Sequence, residues 1–340
     1  MRTRDHSWMM GAAAVAAGLL ALTARATPAH ADEEGEAKEG GAEAKGEGEA
    51  KEGEGKHEEV GKAGLDLVLG WGKVPFAVLN SPTGAQPVPN YTYDEKVPSN
   101  VQSFILGGGV EVAEHIEVGA RLPFTFAGFS PDGSPGRSAT SFGNLELEGA
   151  YGGRVAQGLR LTGSLGIALP TSAGTEVPPD LNALATSVDQ SAYDRWSLNR
   201  AAAAARGYED NALFEPHRLG IIPKVGLLYR THGLSLEPYL KIENLVATSS
   251  SLTNSYVGEL VGGLRVGYWV HKEFEIALRG WVNVGYAGAD DDKKTTVAIE
   301  PQAVLRFGPV RPYLGVIIPF TGPPGDGGFV GLRLGVDVAF

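Results

Sequence analysis

From residue 64 onward, apolar and polar residues alternate in short segments that are separated by turn residues. In the final segment every even-numbered residue from Val330 to Phe340 is apolar, and Arg333 and Asp337 fall on the other parity. Successive strand side chains point to opposite faces, so this pattern is typical of a strand with one apolar and one charged face. About twelve such segments can be counted. The pattern predicts an all-β protein over residues 64–340.

The connections between these segments alternate in length. Short ones such as Thr231–Gly233 alternate with long ones such as 73–100 and 171–215. Aromatic residues gather at the strand ends beside both kinds of connection, as in the two aromatic girdles of a membrane barrel. We therefore predict a transmembrane antiparallel up-and-down β-barrel of about twelve strands, with apolar residues facing lipid and charged residues facing the lumen. An even strand count places both chain ends on the periplasmic side.

Residues 1–31 have the features of a secretory signal peptide. Arg2 and Arg4 precede an uncharged run over 9–24, and Ala29-His30-Ala31 matches an A-x-A cleavage site. The run is shorter than the ~20 residues that a membrane-spanning helix needs. We expect cleavage after Ala31 and export to the bacterial outer membrane.

Residues 32–63 form a segment of a different composition. It contains twelve acidic residues and five lysines, with hardly an apolar side chain. Such a segment buries too little surface to offset its ordering entropy, so we predict a disordered acidic periplasmic tail. The whole chain has a net charge of -11 and no cysteine. Without a basic surface, nucleic acid is excluded as a partner.

One connection is too long to be a plain hairpin loop. Within 171–215, the stretch from Asp180 to Arg206 contains no proline or glycine and is rich in alanine. This composition predicts one helix in an extracellular loop, with Asp180 as N-cap and Gly207 as the C′ residue. The helix either constricts the lumen, lies across its mouth as a lid, or packs on neighbouring loops.

The strand positions that are predicted to face the lumen carry nearly equal numbers of cations and anions. A charge within the membrane must be paired or must face water. Two hypotheses follow, a narrow polar pore with little preference for charge sign and a salt-bridged lumen that only supports the barrel. The predicted lumen-lining residues are Arg121, Glu146, Glu148, Arg160, Arg218, Lys224, Glu237, Lys241, Glu259, Arg265, Glu275, Arg279, Glu300, Arg306, Arg333 and Asp337.

The terminal GLRLGVDVAF resembles the last strand of bacterial outer-membrane β-barrel proteins. In that group, a terminal aromatic residue such as Phe340 is similar to the signal read by the barrel-assembly machinery. Shorter segments (IEVGARLPF, FGNLELEGAY and LTGSLGIALPT) resemble outer-membrane transporters of the phenol-degradation, or MetA-pathway, type. The resemblance implies a porin-like transporter whose partners are outer-membrane lipid, lipopolysaccharide and the assembly machinery.

Motifs for catalysis are missing from the sequence. It contains no GxSxG, no HExxH and no phosphate-binding glycine loop. Asp290, Asp291 and Asp292 supply too few ligands for a hard cation, so a solvated turn is favoured. We predict no catalytic, cofactor-binding or metal-binding residues. The predicted function is passive transport of small solutes. The alternatives are a structural or adhesive barrel with a salt-bridge-filled lumen and, third, a lipid-modifying enzyme.

Overall fold

The alternating segments form antiparallel strands in a computed structural model of the chain, which describes residues 61–80, 90–130, 136–174, 190–250, 252–288 and 295–340. The strands are β1 (Gly61–Asn80), β2 (Asn90–Ala113), β3 (Ile116–Phe129), β4 (Arg137–Phe142), β5 (Glu146–Ala156), β6 (Leu159–Ala168), β7 (Arg218–Thr231), β8 (Leu234–Ala247), β9 (Tyr256–His271), β10 (Phe274–Ala287), β11 (Thr295–Leu305), β12 (Val310–Pro319) and β13 (Val330–Ala339). The helices are α1 (Gln190–Ala205), a 3-10 turn (Asn211–Leu213) and α2 (Gly322–Asp326).

The strands close into a ring. Strands that follow each other in the sequence are paired, except that β5 pairs with β3 and not with β4, and β1 pairs with both β2 and β13. Because β4 and β5 pair with successive halves of β3, they form one barrel strand interrupted at 143–145. The prediction of a twelve-stranded antiparallel barrel is confirmed. Closure of the ring removes the two free edges that an open sheet would expose to lipid.

The barrel is apolar outside and polar inside, as β10 illustrates. Ile276 and Leu278 are about half exposed on the outer surface, whereas Glu275 and Trp281 are 3% and 1% exposed. In a soluble sandwich the apolar parity would be the buried one. The alternation therefore has the reversed polarity of a membrane barrel. Among the described residues, no helix combines the length and apolarity needed to cross a bilayer.

Two expected boundaries are wrong. The connection predicted over 73–100 is largely strand, because β1 continues to Asn80 and pairs with β2 as far as Asn90. The alternating segment FGNLELEGAY does not form one continuous strand, because β4 ends at Phe142 and β5 begins at Glu146. Asn144 leaves the strand there, and its side-chain amide donates to the carbonyl of Ala212 at 2.8 Å.

The predicted helix end is confirmed. Gly207 has φ 62, and its N–H donates to Ala204 while the N–H of Tyr208 donates to Ala203. These two bonds form a Schellman motif, whose left-handed residue is usually glycine. The described helix begins at Gln190, and the expected N-cap Asp180 lies outside the described residues, as do 1–60. β1 begins at Gly61, three residues before the expected start of the barrel.

Candidate functional site

Residues 190–215, called the plug segment here, lie inside the ring. Arg206 contacts Asp66 of β1, Asp210 contacts Arg121 of β3, and the carbonyl of Gly207 accepts from Trp281 of β10. A segment that touches strands on opposite sides of a closed barrel must occupy its lumen. The segment therefore narrows the lumen, as the constriction hypothesis expects.

The sequence of α1 makes it narrow enough for this position. All five residues of Ala201–Ala205 are 0–3% exposed, so the helix has wall on every side. Gly70 and Gly331 face each other in register on β1 and β13. A Cβ atom added at Gly70 would clash with the Cβ of Ala205, and one at Gly331 with the Ala205 carbonyl. Small residues on both sides let the helix and wall approach closely.

Arg206 fixes the end of the helix to the wall. Its side chain is 2% exposed, and Nη1 lies 2.7 Å from Oδ2 of Asp66. Nε donates to the Ser103 hydroxyl at 3.0 Å, and Nη2 donates to the Ser103 carbonyl at 3.1 Å. A buried charge is tolerated when it is paired and its donors are satisfied. Arg206 meets both conditions through partners from two strands.

The acidic residues that follow are held by wall cations. Arg121 lies between Asp210 at 3.0 Å and Glu146 at 2.6 Å. Arg279 forms an ion pair with Glu209, which also accepts from the Tyr239 hydroxyl at 2.7 Å. Burial opposes ionisation of Asp210, but the charges of Arg121, Lys241 and Arg206 outweigh it and hold its pKa well below the usual range. Asp210 is therefore ionised at neutral pH.

Wall side chains also satisfy the backbone of the plug segment. Asn283 donates to the Tyr208 carbonyl at 2.7 Å, and Trp281 Nε1 donates to the Gly207 carbonyl at 2.9 Å. Glu243 accepts from the N–H of Ala212 at 2.9 Å. Non-helical backbone inside a barrel needs such partners because neither helix nor sheet supplies them. The wall is thus built to hold this segment.

Several predicted lumen residues form ion pairs with one another. Arg333 bonds Asp66 at 2.6 Å and Glu300 at 3.2 Å, and Arg279 lies 3.5 Å from the same Glu300 carboxylate. On β8–β10, Arg265 pairs at 2.8 Å with both Glu237 and Glu275. Such interlinked pairs spread each buried charge over several partners.

The other predicted residues have different surroundings. Lys241 pairs with Glu243 at 2.7 Å, and Glu259 accepts from Asn211 and Asn283. Arg218 lies 3.8 Å from Glu215. The guanidinium of Arg306 lies over the Trp269 ring at 5.6 Å. Within the described ranges, five of the predicted residues have no opposite charge within 4.0 Å, namely Glu148, Arg160, Lys224, Glu259 and Asp337.

Sequence reasoning missed the residues that hold the plug segment. Asp66 is the one charge in the first alternating segment, a signal that parity alone could have given. The RGYEDN stretch after the alanine run concentrates charge between a helix and a strand. This concentration of charge indicated a role other than that of an exposed surface loop. The residues missed are Asp66, Ser103, Asn144, Arg206, Glu209, Asp210, Trp281 and Asn283.

A polar cavity of about 260 Å³ remains beside the plug segment. Arg121, Glu148, Lys224, Tyr239 and Lys241 are among its lining residues. Charged groups predominate, so the cavity suits water and small polar solutes better than apolar ones. The acidic run at 290–292 lies outside the described residues.

Phe340 lies at the seam where the ring closes. Its N–H donates to the Gly61 carbonyl at 2.9 Å, and the Gly61 N–H donates to the Phe340 carbonyl at 2.7 Å. The ring is 66% exposed on the outer surface. Tyr268 and Phe307 are likewise more than half exposed at this end of the barrel. Phe329, an aromatic residue beside the long connection 321–328, is by contrast buried and 2% exposed.

Comparison with known proteins establishes the fold. No family model and no curated protein sequence matches the chain. Among solved structures, the COG4313 outer membrane channel from Pseudomonas putida F1 aligns with a TM-score of 0.54 at 13% identity, over 83% of this chain and 96% of that one. The NanC porin aligns with a TM-score of 0.46 at 9% identity, over 81% and 100%. The fold is that of an outer-membrane β-barrel protein.

Proposed function

We propose that this protein is an outer-membrane channel for the passive passage of small polar solutes, with the plug segment restricting its lumen. The observation that carries the proposal is the polar cavity of about 260 Å³ beside the plug segment. Water-accessible charged groups line it, including Lys224 on the inward parity of β7. A lumen that served only as filling would pair such charges, since unpaired ones weaken the interior.

The structural barrel is the rival that the geometry also favours. Arg206, Asp66, Arg333, Glu300 and Arg279 form one continuous buried network across the lumen. Such a network would stabilise a closed barrel. The two functions differ in one measurable property, because only a channel passes ions through a bilayer.

Single-channel recording in planar bilayers separates the two. We expect small stepwise conductances from the wild type. A variant in which residues 190–213 are replaced by a glycine-serine linker should show several-fold larger steps, because the constriction is gone. A heat-dependent shift in gel mobility would establish that each protein is a folded barrel. Folded wild type without any conductance above that of lipid alone would overturn the proposal.

Location and partners form part of the same proposal. The predicted signal peptide, cleaved after Ala31, would direct export, and the long-loop end of the barrel would face outward. Outer-membrane lipid and lipopolysaccharide would then surround the exposed apolar wall. The barrel-assembly machinery would recognise the last strand with Phe340. Protease treatment of intact cells, which cuts the outward loops and spares the short turns, tests this orientation.

A further inference from the structure

The charges inside the barrel are unevenly distributed around the wall. The inward positions of β5, β6 and β7 carry five cations and two carboxylates, whereas those of β8 and β9 carry two cations and three carboxylates. The cations on β5–β7 are Arg154, Arg160, Arg218, Lys224 and Arg230. The carboxylates there are Glu146, which Arg121 already neutralises, and Glu148. One side of the lumen is therefore strongly positive.

Four of these cations have no counter-ion among the residues that the structure describes. In the part of the chain that the structure describes, Arg154, Arg160, Lys224 and Arg230 have no carboxylate within 4.0 Å, and all four side chains are exposed. Their parity is opposite to that of the outward residues Val155, Leu161, Val225 and Tyr229. They face the water-filled side of the wall, where a cation retains its charge. Arg279 and Arg333, across the lumen, are by contrast paired.

The four cations form a continuous track along the wall. Arg154 and Arg160 lie opposite each other in register on β5 and β6. Lys224 pairs in register with Ser164 of β6. Because Ser164 is four residues beyond Arg160, Lys224 lies about 13 Å along the wall from Arg160. Arg230 follows Tyr229, which pairs with Leu159. Arg230 therefore lies about 7 Å nearer to the short turn than Arg160 does. The track spans about 20 Å, from the short-turn mouth to the polar cavity.

The upper end of the track reaches further cations. Lys224 is in register with Lys241 across β7 and β8, and its ammonium lies 5.6 Å from the centre of the Tyr239 ring. Glu148 lines the same cavity and offsets part of this charge. The balance on this wall nevertheless stays positive. Guanidinium and ammonium groups spaced along a pore replace the hydration of a passing anion stepwise.

We propose that β5–β7 form a track for small oxyanions, that is, solutes bearing a carboxylate or phosphate group. This proposal rests on the proposed channel function and adds its substrate class. It also revises the expectation of a lumen without charge preference, because most carboxylates elsewhere in the described lumen, such as Glu237, Glu243 and Glu300, are already paired with cations. The pairs cancel locally, so the unpaired cations dominate the potential along the path.

Ion selectivity in planar bilayers tests the track. Under a potassium chloride gradient, the reversal potential of the wild type should have the sign of a channel that prefers chloride. The variant carrying Arg160→Gln, Lys224→Gln and Arg230→Gln should lose this preference, with the chloride-to-potassium permeability ratio falling several-fold. Added inorganic phosphate should block the wild-type current more strongly than that of the variant, because oxyanions bind guanidinium groups better than chloride does.

Lys272→Gln is the matched control. Lys272 is 79% exposed in the turn between β9 and β10, at the same end of the barrel but away from the track. It should leave the reversal potential unchanged. Potassium preference in the wild type, or an unchanged ratio in the folded triple variant, would overturn the track while leaving the channel function intact. A complete absence of conductance would overturn the channel function and the track with it.

Discussion

At the scale of single residues, Arg206 shows how the lumen holds a buried charge. It lies directly after the alanine run and has partners on β1 and β2. Asp66 receives a second guanidinium, that of Arg333, at 2.6 Å. Removal of one member of a buried pair leaves the other desolvated, which costs more than the pair itself contributes.

Arg206→Gln should therefore destabilise the barrel by about 3–5 kcal/mol, the usual cost of breaking a buried ion pair. Guanidinium titration of the folded protein in lipid vesicles would measure the change in the free energy of unfolding. Lys272→Gln, which breaks an exposed pair at 3.7 Å, should change it by less than about 1 kcal/mol. Equal effects of the two substitutions would contradict the anchoring role of Arg206.

At the scale of elements, the close approach of α1 to the wall depends on missing side chains. Gly70→Val would place methyl groups where Ala205 now lies. We expect a loss of about 1–3 kcal/mol from overpacking and a displaced plug segment. Trypsin should then cleave after Arg200 or Arg206, which the wall protects in the wild type. The control is Gly149→Val, since a Cβ there meets nothing within 4 Å. Equal protection of the two variants would show that the helix does not rest on this wall.

The strands were predictable because their signal is local. In residues 274–287 every outward position except Gly280 is a large apolar residue, and both charged residues, Glu275 and Arg279, fall on the inward positions. Lipid outside and water inside then determine which set of positions faces outward. The plug segment could be recognised as a helix, and Gly207 as its end, from composition alone. Its position inside the lumen could not be predicted, because Arg206 and Asp66 are 140 residues apart and no local pattern links them. The interruption at Asn144 also depends on a distant contact, because its side chain donates to the carbonyl of Ala212, 68 residues away.

At the scale of the whole molecule, closure joins the first and last strands through Gly61 and Phe340. Phe340→Ala keeps these backbone bonds and removes the exposed ring. We expect a lower yield of heat-modifiable barrel in cell membranes, because the proposed assembly signal is weakened, with stability of the folded fraction nearly unchanged. Phe307→Ala removes a ring that is 58% exposed near the same end and should assemble normally. Equal yields would refute a special role for the terminal residue.

Reversed polarity is the central claim, and single cysteines on β7 test it most directly, since the chain has none of its own. Fluorophores at Val225→Cys and Leu227→Cys should be quenched by lipids with brominated acyl chains, because these outward positions are 47% and 40% exposed. Fluorophores at Lys224→Cys and Arg230→Cys should instead be quenched by aqueous iodide. Lipid quenching at Lys224 and Arg230, or the same response at all four sites, would contradict the account.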